Sequence, residues 1–98
     1  MSFTRVVNVH HEHCDVWVGR PSIWGNPFHT KPGEDRLEVI ERYKRWFCGR
    51  LRDPVFRAAT TALRGKIIGC ACVPKMCHAH IIAAWLNGEM TDTGEAAF

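Results

Sequence analysis

Apolar and polar positions along the chain fall into six short blocks, each with its own period. Val6-Val-Asn-Val-His10 alternates and is β-branched, which predicts a first strand, and Asp15-Val-Trp-Val-Gly19 predicts a second. Two prolines and a glycine in Arg20-Pro-Ser-Ile-Trp-Gly-Asn-Pro-Phe28 forbid regular structure there, so this stretch reads as an ordered loop with bulky side chains. Asp35 with Glu38 has the spacing of a capping box, and Leu37, Ile40, Tyr43, Phe47 and Leu51 share a helical stripe. A helix over about 36–48 follows, with Gly49 as its stop. Asp53-Pro54 starts a second, shorter helix to about 63, since Asp suits the N-cap and Pro the first helical position; Val55, Phe56, Ala59 and Leu63 form its apolar face. Lys66-Ile-Ile-Gly-Cys-Ala-Cys72 is too brief for a helix and reads as a buried strand, and the 3.6-residue period of Cys77, Ile81, Ile82, Trp85 and Leu86 predicts a last helix closed by Gly88.

Strand, strand, helix, helix, strand, helix is the order of an α/β fold: a small, Rossmann-like, three-layer-like sheet with covering helices. Its ligands are expected beyond the carboxyl ends of the strands. Residues 1–88 form the single domain on this reading, and 89–98, which lack periodicity, a mobile and dispensable tail.

Composition narrows the class. The 98 residues, 46% hydrophobic and 23% charged, suffice for one core and exclude a disordered chain. A net charge of +3 is too mild to argue for or against a nucleic-acid partner. No apolar run approaches the roughly 20 residues that span a bilayer, and the N-terminus lacks a signal-peptide core, so a cytoplasmic protein without membrane contact is expected. Five cysteines, three of them crowded into residues 70–77, do not resemble a disulfide framework; in a reducing compartment they point to metal ligands or reactive thiols.

Three chemical readings of that cluster stay open. Cys70, Cys72, Cys77 and His78 supply the soft ligands of a tetrahedral zinc, with His80 in reserve, although the spacing is not that of a common zinc knuckle. A helix starting near Cys77 would instead favour an anion through its free N–H groups, with Lys75 adding charge, and would activate Cys77 as a nucleophile with His78 or His80 carrying the proton. Burial as small hydrophobes is the plain alternative for Cys70 and Cys72. In the earlier loop, Arg20 suits a phosphate or carboxylate, Ser22 and Asn26 offer hydrogen bonds, and Trp24 can stack on a base. Against this stands a structural role in which Trp24 and Phe28 plug the core and Arg20 makes an internal ion pair. His10, His11, His13 and Cys14 form a dense run that reads first as a solvated strand end and second as a metal site.

Arg5-Val-Val-Asn-Val9, Asp15-Val-Trp-Val-Gly-Arg20, Ser22-Ile-Trp-Gly-Asn-Pro-Phe28, Glu38-Val-Ile-Glu-Arg-Tyr43, Leu63-Arg-Gly-Lys66 and Gly69-Cys-Ala-Cys-Val-Pro-Lys-Met-Cys-His78 together resemble the phage and bacterial family called domain of unknown function 4326, over about residues 4–87. The resemblance implies a compact α/β domain, often phage-encoded and so working in a bacterial host cell, and implies no activity. Family loops commonly read Cys-Trp-Cys, then Pro, then Cys-His-Gly-Asp; this chain departs with Ala71, Ala79 and His80, so any role of the acid would fall to His80 or be lost.

The leading expectation is a domain that binds a nucleotide or other phosphorylated ligand, with nucleic acid as a related partner class, between the Arg20–Asn26 loop and the Cys70–His80 loop. A cysteine-dependent enzyme acting on a nucleotide or nucleobase and a zinc-stabilised protein-interaction module are the alternatives. If the two loops build one site, Trp24 and Cys77 must lie on one rim.

Overall fold

The computed structural model describes residues 3–28, 33–71 and 77–97. Three strands, β1 (Arg5–Asn8), β2 (Val16–Trp17) and β3 (Ile67–Cys70), form a wholly parallel sheet in the order β1-β3-β2. Three helices, α1 (Arg36–Arg50), α2 (Pro54–Thr61) and α3 (His78–Leu86), complete the α/β domain. No helix among the described residues is long and apolar enough to cross a membrane.

Strand β3 is central, and its two faces explain its sequence. Ile68 aligns with Val6 and Val16, and this row faces the helices, where Ile68 is fully buried among Tyr43, Phe47, Ile82 and Leu86. Gly69 aligns with Val7 and Trp17 on the opposite face. There the connection from β1 to β2 crosses so closely that a Cβ on Gly69 would stand 2.5 Å from Val9 Cγ1 and 2.6 Å from Cys14 Sγ. Only glycine leaves room for that crossing. A parallel sheet needs both faces covered, and here the helices cover one and the connector the other. Asp15 fixes the crossing at the start of β3: its N–H donates to Ile67 O at 2.7 Å and its carboxylate accepts from Ile67 N–H at 2.8 Å.

The helices start where the caps predict. Asp35 and Asp53 each accept an N–H two residues on, from Leu37 and Val55, at 2.9 Å. Helix α1 buries Val39, Ile40, Tyr43 and Phe47, while Leu37, assigned to its stripe, is 60% exposed and Gly49 continues the helix rather than stopping it. In α2, Val55 is likewise exposed; Phe56 and Thr60 are the buried residues. An aromatic cluster of Tyr43, Trp46, Phe47, Phe56 and Trp85, with centroids 5.4–6.2 Å apart, fills the centre. The two ends of the domain are pinned together by Asn87, which accepts Thr4 N–H at 2.8 Å and donates to Thr4 O at 2.9 Å.

Residues 89–97 depart from the expected mobile tail. Met90 is buried in the core cluster and bridges antiparallel to Ala96, and Asp92 accepts Trp85 Nε1–H at 2.8 Å while pairing with Arg57 at 2.9 Å. One methionine gives no period to detect, yet it supplies the apolar contact that docks the turn.

Candidate functional site

The carboxyl ends of β2 and β3 lead into the two loops singled out by their chemistry, and the fold ties those loops together. Strand β3 ends at Cys70, two residues before the end of the expected strand, and Cys77 is the N-cap of α3 rather than a residue of its first turn. His78 is therefore the first helical residue, and its Nε2–H donates to Val18 O at 2.8 Å, bridging α3 to the segment after β2. The carbonyl partner requires the proton on Nε2. Burial holds the His78 imidazole below its ordinary proton affinity, partly offset by the Val18 carbonyl and Cys70, and the charges of Arg20 and His80 lower it further.

Tyr43 is the second tie. Its ring lies edge-on to His78 at 5.2 Å, and its hydroxyl donates to Trp24 O at 2.7 Å. Burial pushes that hydroxyl far above the ordinary tyrosine range, so it acts only as a neutral donor. Trp24, half-buried, donates Nε1–H to Thr60 Oγ1 at 2.9 Å, and Thr60 donates on to Phe56 O at 2.7 Å. The indole is thus held from α2 and the Trp24 backbone from α1, the structural role weighed against base stacking. Through Tyr43, Trp24 and His78 at the start of α3 contact one buried side chain.

Within the loop, close backbone packing requires its glycines: a Cβ at Gly25 would lie 2.9 Å from Arg20 Cα, and one at Gly19 would enter the Trp17 ring. Trp17 Nε1–H donates to Arg20 O at 3.0 Å and buttresses the turn from outside. Asn26 accepts Phe28 N–H at 2.8 Å, an Asx turn that occupies its side-chain oxygen. Arg20 is exposed. The Ser22 hydroxyl is buried and has no hydrogen-bond partner among the described residues.

At the start of α3, Cys77 N–H donates to His80 Nδ1 at 3.0 Å, and His80 N–H bonds Cys77 O at 3.0 Å, so His80 closes the first turn of α3. Cys70 and Cys77, 1% and 3% exposed, bring their Sγ atoms to 3.0 Å. Two thiolates on one tetrahedral zinc, each about 2.3 Å from the metal, would stand about 3.8 Å apart. The observed separation is shorter, and His78 Nε2 is already engaged. Cys72 and Lys75, the remaining members of the zinc set and the anion turn, lie outside the described residues. Among the described residues no three His, Cys, Asp or Glu side chains gather as a metal site. His10, His11 and His13 are exposed on the turn after β1, where His11 N–H bonds Asn8 O at 3.0 Å.

Tyr43, Thr60, Trp17 and the Val18 carbonyl went unrecognised as site-building groups. Trp17, Val18 and Tyr43 sit inside the Asp15–Arg20 and Glu38–Tyr43 blocks of the family pattern, whereas Thr60 lies in none of its blocks.

A small parallel α/β domain in which the segment after β2 is hydrogen-bonded to the start of α3 at the carboxyl edge of its sheet is the class of protein defined by this arrangement. The chain belongs to the family described as Domain of unknown function (DUF4326), whose model matches residues 3–88. It is similar to the "Uncharacterized 12.4 kDa protein in nrdA-td intergenic region" of Enterobacteria phage T4, with 38% identity over 89 residues, 90% of this chain and 82% of the relative. No solved structure matches it.

Proposed function

We propose that this phage-type domain binds a phosphorylated small molecule, a nucleotide being the favoured class, at the carboxyl edge of its sheet, in the cytoplasm of a bacterial host. The observation that carries the reading is the hydrogen bond from His78 Nε2 to Val18 O, which sets the Arg20 turn beside the first turn of α3. A guanidinium and the positive end of a helix acting on one region favour an anion. The unmet Ser22 hydroxyl in the same turn adds a hydrogen-bonding group to that region. Binding rather than catalysis on a nucleotide is proposed, because Cys77 is buried with its sulfur against Cys70, out of reach of a substrate of that size.

Thermal melts of the purified chain with inorganic phosphate, AMP and ATP test this. The expected result is a rise in Tm that grows with concentration as RT ln(1 + [L]/Kd). Arg20→Ala should abolish the rise, measured against the variant's own unliganded Tm. No rise at millimolar concentrations, or an equal rise in the variant, overturns the proposal. A parallel melt with EDTA separates the zinc-stabilised interaction module: unfolding on chelation, with stoichiometric zinc in the untreated protein, would favour that reading instead.

A further inference from the structure

Two buried sulfurs facing each other across a strand-to-helix junction have no assignment in the ligand reading. Cys70 is held by the sheet, in register with Asn8 and with its carbonyl accepting Val9 N–H at 3.0 Å. Cys77 is held by the two reciprocal bonds to His80. Backbone structure on both sides, not a covalent link, brings the Sγ atoms to 3.0 Å, about 1 Å beyond a disulfide bond of about 2.05 Å. The other described cysteines have no such neighbour: Cys14 lies on the opposite face of the sheet against Gly69, and Cys48 lies on α1 beside Gly94.

We propose that Cys70 and Cys77 form a dithiol redox site that a peroxide converts into an intramolecular disulfide. One sulfur attacks a peroxide oxygen, the O–O bond breaks, and a sulfenic acid and one water result. The second sulfur then attacks the sulfenic sulfur; the S–O bond breaks and the hydroxyl leaves with a proton as a second water. Overall, two thiols and one hydrogen peroxide give one disulfide and two waters, each sulfur losing one electron. A dithiol reductant reverses it by exchange, becoming a cyclic disulfide itself. Burial selects the oxidant, because a small uncharged peroxide reaches sulfurs that a bulky disulfide cannot. The product would lock the end of β3 to the start of α3, the junction from which His78 reaches Val18. This site stands whether or not the edge binds a phosphorylated ligand.

Intact-mass measurement of the reduced full chain after hydrogen peroxide treatment is the test. A loss of about 2 Da, restored by dithiothreitol, is expected. Trypsin cleaves after Lys66 and Lys75, so Cys70 and Cys77 fall on separate peptides that only a disulfide joins. The joined pair should persist in Cys72→Ser and vanish in Cys70→Ser. Cys70 and Cys72 share the peptide 67–75, so fragmentation of the joined pair from the unsubstituted chain, which assigns the link to one of them, keeps the test valid even if a cysteine variant misfolds. Gains of about 16 or 32 Da without the 2 Da loss, or a joined pair that survives in Cys70→Ser, overturn the proposal.

Discussion

Replacing Tyr43 by Phe removes one hydroxyl and nothing else, which makes it the sharpest probe of how the two loops are braced. The ring keeps its contacts with Trp46, Phe47 and His78 at 5.4, 6.1 and 5.2 Å, so no cavity opens. What disappears is the 2.7 Å bond to Trp24 O. A neutral hydrogen bond contributes about 1 kcal/mol net, and a carbonyl left without its partner costs about 1–3 kcal/mol when water cannot reach it. Trp24 is only half-buried, so water meets part of that need, and the expected loss is about 1.5 kcal/mol. For a domain of this size that corresponds to roughly 6–12 °C in Tm, against a loss of about 3–5 kcal/mol for Tyr43→Ala, which would empty the centre of the aromatic cluster. Urea melts followed by circular dichroism give the stability, and amide exchange of residues 18–28 shows where it was lost. Thr60→Val cuts the other tether of Trp24, and the double variant should lose less than the sum of the singles by at least about 0.5 kcal/mol, because both bonds hold the same residue. A Tyr43→Phe loss under about 0.5 kcal/mol, or exchange in 18–28 that stays as slow as before, would refute the tether.

Acidification should unfold the protein through His78. Its folded proton affinity lies below the unfolded value of 6.5, so the unfolded chain takes up the extra proton; stability is whole above about pH 6.5 and declines as pH falls below it. His78→Gln, which keeps an N–H for Val18 O without titrating in this range, should flatten the urea midpoint between pH 7 and 5, and an unchanged slope would assign the effect elsewhere. Met90→Ala should cost about 2 kcal/mol and truncation after Gly88 should lower Tm visibly, since Met90 is buried and Trp85 loses Asp92; a truncated chain with the full-length Tm would show that the turn contributes nothing. Gly69→Ala should destabilise by about 1–3 kcal/mol in chemical denaturation because its methyl meets Val9 and Cys14, whereas the exposed Gly49→Ala should be neutral or stabilising.

The chain by itself specified the helix starts and the presence of the strands, which depend on local geometry. Asp35 and Asp53 cap their helices through their own side chains, Pro54 takes the first turn of α2, and the β-branched pairs at Val6-Val7 and Ile67-Ile68 form strands, because caps and alternation act within a few residues. The two loops that carry the candidate residues were legible for the same reason: prolines, glycines and clustered cysteines mark them without any partner. Tertiary structure decided what those side chains do. Trp24 became a plug because Tyr43 and Thr60, 19 and 36 positions away, meet it. His78 became a brace because β2 ends opposite α3, an outcome of the β1-β3-β2 order that no local pattern encodes. Gly69 stands where the connector crosses the sheet, and its need for hydrogen in place of a side chain arises from Val9 and Cys14 lying across it. Met90 docks residues that carry no period, since a single buried side chain needs only a gap in the core and not a repeat.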